Sequence, residues 1–200
     1  MVMKRFFVLF ALVLSIGVAV SAQTARQILD KTAATMNVAG GAKANFKMSG
    51  KYGNASGSIA IKGNKFTAST PASIVWYDGN TQWTYMKKSQ EVNVSRPTEA
   101  QQQALNPYKF INIYKQGYKL SATPVAGGWQ VHLVAQNKAR TIKEMYVTVG
   151  KNYQLKQVKM RQANGWTTLS VTNFKKAKLS DSHFRFNSKD FPDAEVIDLR

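Results

Sequence analysis

From Ala44 to Ser95 the chain places apolar side chains at alternate positions, the period of an extended strand with one buried face. Phe46 and Met48 alternate with lysines and a serine, and Ile59 and Ile61 alternate with Ser58, Ala60 and Lys62. Strands are predicted next over Lys65–Ser69, Ser73–Tyr77, Thr81–Lys87 and Glu91–Ser95. Turn-forming residues separate them at short, regular spacing, the signature of an antiparallel meander. Asp78-Gly79-Asn80 has the composition of a tight hairpin turn whose central residues accept positive φ. Pro71 fits a strand boundary or an edge.

Two stretches break the alternation. Thr24 and Gln27 have capping-box spacing, Ile28, Leu29, Thr32 and Met36 recur at helical intervals, and Gly40-Gly41 stops the helix. A second helical region is predicted between Pro97 and Lys119. Leu105 is its first apolar anchor, Asn106-Pro107 restarts it, and Pro107, Phe110, Ile111 and Tyr114 form one stripe that Gly117 ends. Strands resume over Trp129–Ala135, Ile142–Val149, Gln154–Gln162 and Trp166–Phe174. The tail from Phe184 to Arg200 predicts one edge strand at Phe184 and Phe186, then an extended end carrying Asp190, Asp193, Glu195 and Asp198.

The predicted fold is mainly β: a single curved antiparallel sheet with a few helices covering its concave face. Several large apolar side chains stand on short ribbons, so something must fill that concavity. Helices are the obvious filler. Where they fill it incompletely, a greasy cavity is left.

The first 22 residues carry Lys4 and Arg5, an apolar run of about 15 residues and a Val20-Ser21-Ala22 cleavage pattern. A spanning helix needs roughly 20 such residues, so a cleaved export signal over 1–22 and a periplasmic mature domain over 23–200 are expected. The chain has no cysteine, which excludes disulfide staples, thiol chemistry and lipidation of the protein itself. Its net charge is +18. Export argues against nucleic acid as the partner, and the lysines are scattered along strands. They serve either as a solvated face that blunts sheet edges or as an attraction to anionic headgroups, worth about 1 kcal/mol per basic residue. Lys175-Lys176-Ala177-Lys178 is the densest candidate contact patch.

Catalytic chemistry has little to stand on. His132 and His183 are the two histidines. No phosphate loop, dinucleotide fingerprint or nucleophile elbow occurs, and with isolated histidines and no cysteine a transition-metal site lacks ligands. No enzyme activity, catalytic residue, metal or cofactor is expected.

The run Gly57-Ser58-Ile59-Ala60-Ile61-Lys62 leads into Lys65-Phe66, then Pro71, then Tyr77-Asp78-Gly79-Asn80-Thr81-Gln82-Trp83-Thr84-Tyr85. With the Asn106–Gly117 segment and the tail Phe184-Arg185-Phe186, Pro192, Val196 and Asp198-Leu199-Arg200, it resembles the LolA-type periplasmic carriers of lipoproteins. The resemblance implies an unclosed β-barrel lidded by helices, with an apolar interior that receives acyl chains. It also implies pickup from an inner-membrane lipoprotein-releasing transporter and delivery to the outer membrane. Family members usually carry an arginine just after the aromatic of the Lys65-Phe66 pair, where it bonds the lid. Thr67 stands there in this chain, and that role is not carried over.

The candidate cavity wall is Phe46, Met48, Ile59, Ile61, Phe66, Ile74, Trp76, Trp83 and Tyr85, and the candidate lid is Leu105, Phe110, Ile111 and Tyr114. The expected partners are acylated lipoproteins, the transporter and, transiently, membrane surfaces, with the protein a monomer that binds no nucleic acid. Two alternatives stay open: a carrier of free lipids or other apolar small molecules on the same scaffold, and a non-catalytic envelope interaction module with a solid core.

Overall fold

Thr24 opens the first helix as its spacing predicts. Its hydroxyl accepts from the Gln27 backbone N–H at 3.2 Å, and the Gln27 side chain accepts from the Thr24 N–H at 3.0 Å. Two otherwise orphaned donors are thereby satisfied. The helix, α1 (Ala25–Met36), buries Ile28, Leu29, Thr32 and Met36 along one side. The computed structural model describes residues 23–51, 53–98 and 112–200. The proposed leader and the positions Leu105, Phe110 and Ile111 lie outside the described residues.

Among the described residues the rest is one sheet of twelve strands. Strands β1 (Ala42–Gly50), β2 (Gly53–Lys62), β3 (Lys65–Ser69), β4 (Ser73–Tyr77), β5 (Gln82–Met86) and β6 (Glu91–Ser95) form the first meander. A helical turn at Ile113–Lys115 precedes the second: β7 (Tyr118–Val125), β8 (Gly128–Ala135), β9 (Glu144–Gly150), β10 (Leu155–Gln162) and β11 (Gly165–Lys176). The last strand is β12 (Glu195–Asp198), and the spatial order is β12-β6-β5-β4-β3-β2-β1-β11-β10-β9-β8-β7. The two meanders join where β1 pairs with β11, and β7 and β12 remain as the two edges. The sheet is open rather than closed into a barrel.

Three local expectations are corrected. Tyr118 and Lys119 begin β7 instead of ending a helix: Tyr118, Leu120 and Ala122 alternate with Lys119, Ser121 and Thr123, and Pro124 is tolerated because the strand sits at an edge. Phe184 and Phe186 do not form an edge strand: Asp181–Phe184 is a single helical turn, and the edge strand is β12, parallel to β6. In the β4–β5 hairpin only Gly79 takes positive φ, at +104°. The Asp78 carboxylate makes the turn by accepting from the N–H groups of Asn80 and Thr81 at 3.0 and 2.9 Å.

Register assigns every strand residue to one of two faces. The inner face carries α1, which lies against β7 and β8. Its core contains Ile28 and Leu29 of α1, Val131 and Leu133 of β8, Met145, Val147 and Val149 of β9, and Leu155, Val158 and Met160 of β10. The same core continues through Ala42 and Ile61 to Phe66 and Tyr77, whose ring centres are 5.5 Å apart.

Candidate functional site

On the inner face the first meander extends the apolar surface well past the helix. Phe66 pairs with Ile61 on one side and Tyr77 on the other, and Ala68 pairs with Ile59 and Val75. Phe46 faces Gly57 and Val171, and Met48 faces Ala55 and Leu169. Buried Ile61 and Phe66 belong to the main core, half-buried Ile59, Ala68 and Val75 line its border, and Met48 is 39% exposed. A 12-residue helix is about 18 Å long. Twelve strands spaced about 4.8 Å apart measure on the order of 50 Å across. Helix α1 therefore covers a minority of the face.

The structure separates the nine wall candidates into two groups. Phe46, Met48, Ile59, Ile61 and Phe66 share the inner face. Ile74, Trp76, Trp83 and Tyr85 stand on the other side: Phe66 pairs with Tyr77, so Trp76 pairs with Thr67, then with Trp83, and Ile74 pairs with Tyr85. The inner positions of β5 and β6 are polar, with Gln82 and Thr84 facing Ser95 and Asn93. The apolar side of the sheet thus changes from inner to outer at β4, which is apolar on both.

That outer cluster is covered by the chain that follows β11. Trp76 meets Phe186 and Phe191 edge-on, with centroids 5.7 and 5.5 Å away, and Tyr85 lies 4.7 Å from Phe191. Phe184 is fully buried. Polar contacts hold this tail in place. Lys62 donates to the Leu179 carbonyl at 2.9 Å, and Asp181 pairs with Lys62 and Lys65 at 3.1 and 2.8 Å. The Thr67 hydroxyl donates to the His183 carbonyl at 2.7 Å. Hydrogen bonds from Lys65 and then Lys62 hold the Asp181 carboxyl below its ordinary value. Burial, followed by the charge of Lys43, lowers the His183 imidazole. Sequence reasoning missed the role of Phe186 and Phe191; the pairing register of β3 with β4 is the signal that would have found it.

Of the lid candidates, Tyr114 lies among the described residues. It is 2% exposed, and its hydroxyl donates to Asp30 of α1 at 2.5 Å. Burial first, and the Asp30 bond second, push its pKa upward. Arg26 of α1 sits 5.9 Å from the same ring. The helix is thus tied through Tyr114 to the approach to β7.

The histidines lie on separate elements. His132, on the outer face of β8, stacks on Tyr146 with centroids 4.3 Å apart and lies 2.9 Å from Glu144. Glu144 also accepts from the Tyr146 hydroxyl at 3.0 Å and pairs with Arg161 at 3.3 Å. Burial pushes the Glu144 carboxyl up, but the bonds from His132 and Tyr146 and the Arg161 charge outweigh it, and the net shift is downward. This is a cross-strand polar ladder on a sheet surface. No three His, Asp or Glu side chains gather as a metal site among the described residues.

A family model described as outer membrane lipoprotein carrier protein LolA matches residues 15–164. No curated protein matches by sequence. Among solved structures, an uncharacterized conserved protein from Thermus thermophilus superposes with a TM-score of 0.59 at 14% identity, over 88% of this chain and 99% of that one. That likeness concerns the fold alone. A LolA superfamily protein from Nitrosomonas europaea aligns at a TM-score of 0.46 and 12% identity, over 82% of this chain and 99% of that one. A putative outer membrane lipoprotein-sorting protein domain from Vibrio parahaemolyticus aligns at 0.45 and 11%, over 80% and 95%.

Proposed function

The chain belongs to the LolA family of outer membrane lipoprotein carriers, and on that footing we propose that it shelters acyl chains against the inner face of its sheet. One observation carries the reading: the inner apolar face runs from β8 to β4, much farther than the single described α-helix can span. Phe46, Met48 and Ile59 form the wall at the end of that reach lying beyond α1, and buried Ile61 and Phe66 back it from the core. Helix α1, latched through Asp30 to Tyr114, forms a cover at the other.

The energetics suit a carrier. Each methylene removed from water is worth about 0.8 kcal/mol, so a sixteen-carbon chain costs roughly 12 kcal/mol when exposed. A carrier must offset most of this without exceeding it, or delivery fails. An element that occupies part of the face in the empty protein weakens net binding by its own displacement and shields apolar surface in the meantime. The cargo is an acylated lipoprotein, taken from an inner-membrane releasing transporter and carried through the periplasm by a monomer that touches membrane surfaces transiently. Binding, not catalysis, is the activity.

An apolar fluorescent dye and palmitate test this directly. The purified protein is expected to light the dye and palmitate to displace it. Phe46→Asp is expected to weaken palmitate by on the order of 2 kcal/mol, about thirty-fold in Kd. A dye-silent protein with no displacement would overturn the reading. Mass spectrometry of gently isolated protein identifies the cargo: an acylated polypeptide supports the lipoprotein version, and a lipid with no polypeptide refutes it in favour of free-lipid carriage.

A further inference from the structure

The outer face has a second feature, away from the acyl-binding wall. Where β1 pairs with β11 the register shifts between Lys43 and Asn45, and the skipped stretch of β11 contains Asn173 at a φ of +53°. Such bulges bend a strand and re-aim its side chains. Beside this bend the tail crosses β2 and β3, held by the Thr67–His183 bond and the Lys62–Asp181–Lys65 clamp. Between bend and tail lies a cleft of about 580 Å³.

The cleft has a mixed lining, apolar at Ala44, Ile59 and Ala60, and the charges on it are positive. Lys43 and Lys175 are direct register partners within it, and Asn45, Ser58, Ser69 and His183 complete its polar rim. Among the described residues, no acidic side chain lines it. Like charges placed directly opposite across strands repel, so an anion set between Lys43 and Lys175, both exposed, would relieve the pair. The acid of the neighbouring tail turn, Asp181, is already engaged by Lys62 and Lys65. The volume suits a small molecule, and hydroxyl and amide groups around two ammonium ions match a ligand that combines one phosphate with hydroxyls.

We propose that this cleft binds a phosphate-bearing, hydroxylated group of the glycerol phosphate class, with Lys43 and Lys175 on the phosphate and Ser58, Ser69 and Asn45 on the hydroxyls. The group comes either as a free phosphomonoester or as the headgroup of an anionic phospholipid. The lysine pair lies on the face opposite the acyl-binding wall, from which only Ile59 also borders the cleft, and the test does not require cargo.

The test titrates glycerol 3-phosphate into the isotope-labelled protein at physiological ionic strength and follows backbone amides by NMR. Saturable shifts centred on Lys43, Ser58 and His183 are expected. Lys43→Gln with Lys175→Gln is expected to weaken binding about five-fold for each charge, about twenty-five-fold together. The control pair Lys119→Gln with Lys156→Gln removes the same charge from exposed strand positions elsewhere and is expected to change binding less than two-fold. Phosphatidylglycerol vesicles that bind the protein and release it on adding glycerol 3-phosphate assign the headgroup source; binding of the soluble ligand without vesicle binding assigns the free one. Non-saturable shifts, or an equal loss in the control pair, would overturn the site. Thermal melting of each double variant confirms that it is folded.

Discussion

Thr67 occupies a strand position from which its side chain points away from α1, so its hydroxyl serves the tail instead of any element on the inner face. Removing that hydroxyl with Thr67→Val is expected to cost about 1 kcal/mol in urea unfolding, as for a typical hydrogen bond. Trp76 shares this side. Trp76→Ala is expected to destabilise the protein by about 3 kcal/mol or more, in line with other large aromatic truncations in cores. The same variant should leave the palmitate Kd unchanged, because its neighbours are Phe186 and Phe191. A parallel loss of palmitate affinity would return Trp76 to the acyl-binding wall. Gly57 presents the opposite problem: a Cβ there would lie 1.9 Å from the Ser69 carbonyl oxygen. Gly57→Ala is expected to cost roughly 1–3 kcal/mol by overpacking, with equilibrium unfolding as the check.

At the scale of elements, the tail is a cover with acid-sensitive fastenings. His183 has a lowered pKa in the folded protein, so the unfolded chain takes up its proton first as pH falls. Its contribution is whole above 6.5, the ordinary value, and is lost as pH falls through the lowered folded value. Asp181 follows the same sign: its contribution is whole above 3.8 and disappears as pH drops through the value set by Lys65 and Lys62. Protection factors over residues 177–191, taken relative to the intrinsic exchange rate at each pH, are therefore expected to fall in two stages on acidification, while those of β9 and β10 hold. Protection factors for the tail that stay constant with pH would contradict this anchoring. The elements themselves were legible in unequal measure. The capping box of α1 and the alternation of β2 to β6 identify themselves, because propensity, period and turn residues agree. Edge strands β7 and β12 do not: β7 alternates over Tyr118–Thr123 but runs straight on from the helical stripe that ends at Gly117, and β12 takes its place only through a distant parallel pairing with β6.

For the molecule as a whole, the open sheet and its helical cover follow from the pattern of positions, whereas the allocation of side chains to faces does not. Alternation tells which residues of one strand lie together; only register tells which strand shares that side, and a shift of one position inverts it. Hence Phe66 and Trp76, both wall candidates by alternation, stand back to back. The result is a sheet with apolar surface on both sides, one covered in part by α1 and the other by the tail. Cutting the chain after Lys176 is expected to create a second dye-binding surface and lower the melting temperature, with the palmitate site retained. The cover over β4 to β6 has a consequence for how the protein is made. A polypeptide emerging amino end first completes the ribbons bearing Trp76 and Tyr85 about a hundred residues before Phe186 and Phe191 appear. In that interval the half-built sheet carries a sticky aromatic flank with nothing of its own to lay across it, which makes the nascent form a client for a holding chaperone.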